Sequence, residues 1–199
     1  TIYLSQTFYN LPWYDSIGVV TNIDDMHEGR DRKDFFDIPV WVNRDILAPN
    51  IDFKLIEQAK AKLGINKFDF VLGAFARMEK FSEPFLDLVY SLLIKEKNIK
   101  VLLAGPNDQK KVLMKLKKFI DDGRVMILGQ VDVNIFGHCI DIGIDTFPLH
   151  SAYSVLELMA KNIPVVSKKD EFLGSLIKDR LPQTLKYEEN ELKTLVCKL

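Results

Sequence analysis

Residues 145–167 read DTFPLHSAYSVLELMAKNIPVVS, and this stretch says more about the fold than any other part of the chain. It predicts the end of a buried strand, a short loop, a helix and a second strand. The loop becomes a helix at 151–154, where unpaired backbone N–H groups and partial positive charge favour phosphate. Glu157 lies one helical turn further in, within reach of a sugar hydroxyl beside that phosphate. The stretch therefore predicts a nucleotide site.

The same alternation of strands and helices extends back to about residue 67. Short apolar runs predict five strands, at 68–73, 100–105, 124–129, 140–145 and 163–167, the first three closed by glycine. Between them the pattern predicts helices at 83–96 with Ser82 as N-cap, from Asn107 or Asp108 to 120, at 133–138 and at 151–161. This order predicts an α/β fold, a Rossmann-like doubly wound parallel sheet with right-handed crossovers. Ligands bind outside the carboxyl ends of such strands.

The chain divides into two parts at about residue 50. Residues 1–50 combine short apolar pieces with a polar stretch at 22–34, which predicts an N-terminal extension or an interdomain segment. Residues 51–199 are the predicted Rossmann-like domain, with a helix at 53–63 ended by Gly64 and further helices at 171–178 and 188–197. Because the sequence begins at Thr1 in strand-like sequence, we expect it to be a piece of a longer protein.

Composition excludes several classes of protein. The formal net charge is −1, from 27 basic and 28 acidic residues, so a nucleic-acid binder is not expected. Two cysteines in no motif fit a reducing, cytoplasmic location, and the three histidines have no zinc spacing. No apolar run reaches the length of a membrane span. Lysines recur at helical spacing, which predicts the solvated face of an amphipathic helix: Lys110, Lys111, Lys115, Lys117 and Lys118.

Two cations follow the first strand of the predicted domain. Arg77 and Lys80 lie three residues apart at a strand end, where a guanidinium and an ammonium group can hold a diphosphate. The alternative is an ordinary solvated loop. No glycine-rich dinucleotide motif or phosphate loop occurs, which disfavours nicotinamide dehydrogenases and phosphate-loop NTPases.

The other polar candidates lie within the stretch 145–167 itself. Glu157 stands among apolar helix residues and needs a partner or a ligand, although a partly exposed helix glutamate is an equal alternative. Ser151, Tyr153 and Ser154 can be simple helix caps. His150 can carry a proton or bind phosphate, but a single loop histidine is more often incidental. We expect Asp145 to shape its loop as a hydrogen-bond acceptor.

Together these positions resemble the C-terminal, donor-binding domain of GT-B fold glycosyltransferases, over about residues 40–198. The most specific likeness is ELMAKNIPVVS at 157–167, which is similar to the acidic residue that binds ribose followed by the family's ala-x-gly-x-pro-val-val motif. The Arg77 and Lys80 pair resembles the cations that hold the donor diphosphate. By the same resemblance, Tyr153 and Ser154 contact phosphate, as in the O-linked N-acetylglucosamine transferase branch. The resemblance also implies that the backbone at Gln130 and Val131 contacts the nucleobase.

The resemblance implies transfer of a sugar from a nucleotide diphosphate, with a UDP-sugar as the expected donor. It implies no bound metal or cofactor, a saccharide, lipid or protein acceptor, and a missing N-terminal domain. It points to bacterial group 1 enzymes and to association with a membrane through the full-length protein. Catalytic residues are not identified, and this piece alone is expected to bind nucleotide weakly. Leu149 and Ala152 replace a glutamate and a histidine of different branches, which leaves the stereochemical outcome open.

Two other interpretations of the sequence remain. The first is a non-catalytic glycosyltransferase-like binding module, kept for contacts with other proteins. The second is a sugar-nucleotide epimerase of the GT-B type. Nucleotide binding separates the donor domain from a module that has lost its ligand, and the full-length sequence separates a transferase from a module.

Overall fold

The computed structural model describes the backbone of residues 2–5, 16–20, 35–38, 44–151, 153–168 and 186–187, and the side chains of 46–151 and 153–168. The strands in these ranges are β1 (Ile2–Ser5), β2 (Ser16–Val20), β3 (Phe35–Ile38), β4 (Phe70–Phe75), β5 (Ile99–Ala104), β6 (Val125–Leu128), β7 (Ile142–Ile144), β8 (Val165–Lys168) and β9 (Lys186–Tyr187). The α-helices are α1 (Arg44–Leu47), α2 (Phe53–Lys62), α3 (Glu83–Lys95), α4 (Lys110–Asp121), α5 (Val133–Phe136) and α6 (Tyr153–Ala160).

The main sheet confirms the predicted doubly wound architecture. Its six strands run in the order β6-β5-β4-β7-β8-β9, and every neighbouring pair is parallel. Numbered within this sheet, the order is 3-2-1-4-5-6, which is the Rossmann order. Strands β1, β2 and β3 form a separate parallel sheet. The expected division of the chain near residue 50 stays a prediction.

Helices cover both faces of the main sheet, and the strand residues alternate between two apolar clusters. Leu72 and Leu103 pack with Phe85 of α3 and Leu116 of α4 in one cluster. Val71, Phe75 and Leu102 pack with Val155 and Leu158 of α6 in the other. Such alternation follows from the two-residue period of a strand whose two faces are both buried. The core therefore fixes where each strand ends, and those ends hold the candidate site.

One predicted strand ends later than its sequence pattern indicated. The sequence pattern predicts Gly73 as the end of the first strand, but β4 continues through it to Phe75. A Cβ atom at Gly73 would lie 2.5 Å from the Cγ2 atom of Ile140. The glycine is therefore required by the close approach of the segment before β7, and it does not mark a turn.

Several local signals in the sequence are confirmed. Ser82 Oγ accepts a hydrogen bond from the Phe85 N–H at 3.3 Å and so caps α3. Gly64 follows α2 with a φ of +64°, as a helix-ending glycine should. On α4 the lysines face outward, while the buried side of that helix is formed by Val112, Leu116 and Phe119.

The remaining predictions concern segments that the structure describes only in part. The helices predicted at 171–178 and 188–197 and the polar stretch at 22–34 lie outside the described residues. The short strand β9 was not predicted. Among the described helices, none has the length and apolar character needed to cross a bilayer.

Candidate functional site

A cavity of about 380 Å³ lies at the carboxyl edge of the main sheet. The loops after β4, β5 and β6 form its walls, together with α5 and α6. Strand order reverses between β4 and β7, and ligands of doubly wound sheets bind at this switch point. The cavity is therefore where the topology places a ligand.

Five of the seven predicted binding residues line this one cavity: Arg77, Gln130, Val131, Ser154 and Glu157. They come from two different strand ends and one helix, separated by up to 80 positions in the chain. Lys80 and Tyr153 are not part of the lining. The structure thus brings most of the predicted set together and leaves two members at its border.

Gly105 closes the floor of the cavity by allowing two strand ends to touch. Its N–H donates to the carbonyl of Gly129 at 3.0 Å, and the Ala76 N–H donates to the carbonyl of Ala104 at 2.9 Å. A Cβ atom at Gly105 would lie 1.7 Å from the carbonyl oxygen of Ala76. No side chain fits there, so backbone contacts join the ends of β4, β5 and β6 at this point.

Arg77 presents its guanidinium group at the mouth of the cavity. Its side chain is 62% exposed and forms a 3.4 Å ion pair with Glu79. The amide of Asn107 donates to that carboxylate at 2.7 Å, which with a further backbone bond holds the pKa of Glu79 below its usual value. Exposed ion pairs of this kind are weak, so Arg77 can exchange Glu79 for a ligand anion at little cost.

Lys80 joins the loops on either side of the switch point. Its ammonium group donates to the backbone carbonyl of His150 at 2.5 Å, and the side chain is half-buried. Burial lowers the pKa of Lys80, and the nearby Arg77 lowers it further. In the free protein Lys80 therefore holds the loop that leads into α6 against the loop after β4.

Asp145 organises that loop from inside, as expected from the sequence. Its buried carboxylate accepts from the Ser151 N–H at 2.9 Å, the Ser151 hydroxyl at 2.8 Å and the Ser167 hydroxyl at 3.0 Å. His150 Nδ1 lies 2.6 Å from the same carboxylate. The prediction that Asp145 is a loop-shaping acceptor is confirmed. His150 is not incidental, because its side chain is only 5% exposed and belongs to this network.

Helix α6 begins at the cavity. The Ser154 N–H and hydroxyl both donate to the Ser151 carbonyl, at 3.0 and 3.2 Å. Tyr153 is 40% exposed at the first position of the helix. Ala152 lies outside the described residues. It is the residue at which one branch of the GT-B glycosyltransferases has a histidine.

Glu157 projects from the next turn of α6 into the cavity. It is half-buried, and within the described ranges its carboxylate forms neither a hydrogen bond nor an ion pair. Burial raises the pKa of Glu157, Asp132 raises it further, and the charge of Lys161 opposes both. A half-buried carboxylate without a bonded partner, facing a cavity, is a candidate ligand group.

Sequence reasoning missed Lys161, which directly follows α6. Only 6% of this lysine is exposed, although lysines are rarely buried. The sequence shows a helix-end lysine beside an apolar motif, and its distant backbone partner gives no sequence signal. In the part of the chain with described side chains, no cluster of three or more histidine, cysteine or acidic side chains could hold a metal ion.

No protein-family model matches the sequence, and no curated protein is significantly similar to it. Solved structures do match. A glycosyltransferase from Rickettsia africae superimposes with a TM-score of 0.78 at 15% identity, covering 98% of this chain and 59% of that one. HepE from Anabaena, solved in complex with UDP and glucose, gives a TM-score of 0.66 at 16% identity over 83% of this chain and 47% of its own.

A third structure matches a single domain. The C-terminal domain of a group 1 glycosyl transferase, LpcC from Francisella tularensis, gives a TM-score of 0.57 at 17% identity, covering 80% of this chain and 87% of that domain. The chain thus spans about half the length of the two larger structures. At these identities the likeness shows the fold, which is that of the C-terminal domain of a GT-B glycosyltransferase.

Proposed function

We propose that this chain is the donor-binding domain of a glycosyltransferase and that its cavity binds a nucleotide diphosphate sugar, with a UDP-sugar as the expected donor. One observation carries the proposal: Arg77, Gln130, Val131, Ser154 and Glu157 line a single cavity at the switch point of the sheet. The fold brings these positions together, and the guanidinium, hydroxyl and carboxylate groups found there suit a nucleotide diphosphate.

Each group then takes a role that its chemistry allows. Arg77 and the N-terminus of α6 receive the diphosphate, because a guanidinium fork and the positive end of a helix dipole both favour phosphate oxygens. Glu157 accepts hydrogen bonds from the ribose hydroxyls. Gln130 and Val131 contact the base through their backbone. Negative charge grows on the diphosphate as the sugar departs, and these fixed donors stabilise it.

Lys80 and Tyr153 enter the proposal differently from the other five. The Lys80 ammonium group donates one of its three N–H groups to the His150 carbonyl in the free protein. The side chain is not part of the cavity lining. We therefore propose that Lys80 supports the site mainly by fixing the loop into α6, and that Tyr153 borders the bound diphosphate.

Calorimetric titration with UDP, GDP, ADP and uridine tests the proposal. We expect UDP to bind best and uridine to bind weakly, because uridine lacks the diphosphate. Glu157→Gln should weaken UDP binding by about tenfold to a hundredfold, the usual loss when a hydrogen bond to a charged group is removed. Glu57→Gln is the matched control, since Glu57 lies on α2 and lines a different cavity.

If none of the four ligands binds at millimolar concentration, the proposed function is wrong. If Glu157→Gln and Glu57→Gln weaken UDP binding equally, the effect is not specific to Glu157, and Glu157 is not a ligand group. The cavity would still be the proposed ligand-binding region. Binding of UDP without any sugar transfer to acceptors by the full-length protein would favour the module over the transferase.

A further inference from the structure

Lys161 is a buried cation that the proposed function does not use. Its ammonium group donates to the backbone carbonyl of Leu47, in α1, and to the backbone carbonyl of Glu157 at 3.1 Å. Burying an ammonium group is costly unless its hydrogen bonds and charge are compensated. Burial accordingly lowers the pKa of Lys161, whereas the charges of Glu157 and Asp132 raise it.

The simplest role for such a lysine is to cap a helix. Lysines near a helix end satisfy the last carbonyl groups and interact favourably with the helix dipole. The bond to the Glu157 carbonyl fits that role, but the bond to Leu47, 114 positions away, does not. A second anchor from another element holds the ammonium group at one place beside α6.

That place is one helical turn from the candidate ribose ligand. Glu157 and Lys161 are four residues apart, and the Lys161 ammonium group lies on the backbone carbonyl of Glu157, close enough for its charge to act on the carboxylate without forming an ion pair with it. Asp132, before α5, and Arg77, after β4, are the other charged groups that line the cavity. Behind Lys161 lies His138, whose pKa is lowered by burial and by the charge of Lys161.

We propose that Lys161 is a positioning residue of the nucleotide site: anchored by the Leu47 carbonyl, it keeps the Glu157 carboxylate ionised and ready to bind the ribose hydroxyls. The proposal rests on the proposed role of Glu157. Lys161 acts through Glu157 and does not touch the ligand. It also links α1, which precedes the main sheet, to the helix that carries the site.

The charge of Lys161 acts on the pKa of Glu157 in a definite direction. Burial and Asp132 favour the protonated form of Glu157, and Lys161 opposes them. Removing the lysine charge therefore raises the pKa of Glu157 further. A protonated carboxyl is a poorer acceptor for two ribose hydroxyls, so UDP affinity falls at a higher pH than in the unaltered protein.

Two measurements on Lys161→Met test this. NMR titration of the Glu157 side-chain carboxyl in the free domain should show an upward shift of its pKa. Calorimetry with UDP should show no loss of affinity at high pH and a growing loss as the pH falls. Lys161→Arg should behave as the unaltered protein does. Lys62→Met is the matched control, because Lys62 is an exposed lysine in the last turn of α2.

The reciprocal experiment covers the case in which Lys161→Met does not fold. Coupling between two charges is mutual, so Glu157→Gln should lower the pKa of Lys161, followed by NMR of its Cε and Nζ atoms. This titration needs no nucleotide. An absence of UDP binding would overturn the proposed function, whereas the NMR titrations would still decide whether the two charges are coupled.

An unchanged pKa of Glu157 in folded Lys161→Met, or of Lys161 in Glu157→Gln, overturns the proposal. So does a loss of UDP affinity that is the same at every pH, because a purely structural cap would produce it.

Discussion

Asp145 is the side chain on which the shape of the site depends most directly. Its carboxylate is fully buried, accepts three hydrogen bonds and lies beside His150 Nδ1. Those donors come from the following loop and from β8. The carboxylate thus decides where the loop turns and where α6 begins, which in turn fixes Ser154 and Glu157.

Asp145→Asn should destabilise the domain by about 2–5 kcal/mol, since the new amide group donates where the structure needs an acceptor and leaves buried donors unpaired. Urea unfolding measures the change. Asp121→Asn is the control, because Asp121 is exposed on α4 and, among the residues whose side chains the structure describes, pairs with Lys117 alone. That variant should lie within about 0.5 kcal/mol of the unaltered domain. Equal stability of the two variants would show that the Asp145 network contributes little.

Lys80→Met should loosen the loop into α6, because the His150 carbonyl loses its donor. We expect faster amide hydrogen exchange at 145–151 and UDP affinity lower by about tenfold, the equivalent of one hydrogen bond to a charged group. Lys110→Met, an exposed lysine at the start of α4, should change neither quantity. Unchanged exchange combined with weaker UDP binding would instead make Lys80 a direct phosphate ligand.

The sequence predicted the lining residues well and their supports poorly, for a physical reason. Parallel strands bring their carboxyl ends to one edge, so Arg77, Gln130 and Glu157 could be placed together from their positions after strands and on the following helix. The partner of Lys80 is a backbone carbonyl 70 positions away, and that of Lys161 is 114 positions away. A backbone carbonyl carries no residue type, so no motif indicates it.

The shape of the cavity depends most on the close contact between the ends of β4 and β5. Both strands continue to Phe75 and Ala104, and the chain then diverges around the cavity. The sequence pattern predicts the bounds of both strands to within two residues, but it takes a glycine as the end of each strand. Only the packing shows that Gly73 lies inside a strand and that Gly105 makes room for the Ala76 carbonyl.

Gly105→Ala should therefore destabilise the domain by more than about 2 kcal/mol and abolish UDP binding, since the added methyl group collides with backbone that cannot move aside. Gly129→Ala is a closely matched control at the end of β6, where a Cβ atom meets no other atom within 4 Å. Thermal unfolding and calorimetry measure the two effects. If Gly105→Ala binds UDP normally, the cavity floor is not part of the site.

At the scale of the whole domain, the strand order of the main sheet determines where a ligand can bind. Because the sheet reverses between β4 and β7, the loop after β4 and helix α6, which follows β7, diverge and leave the cavity open between them. The core on both faces holds the strands, while the site itself consists of loops and one helix end. A ligand bound there adds contacts between these elements to those already made by Lys80, by Asp145 and by the apolar core.

UDP should consequently stabilise the folded domain as a whole. A ligand that binds only the folded state adds RT ln(1 + [L]/Kd), which is about 2.7 kcal/mol at a concentration 100 times Kd. For a chain of this size that corresponds to a rise in Tm of about 5–10 °C. Differential scanning fluorimetry at a fixed UDP concentration measures the rise. Glu157→Gln and Arg77→Met should reduce it and Glu57→Gln should preserve it, whereas an equal rise in all four proteins would place UDP outside this cavity.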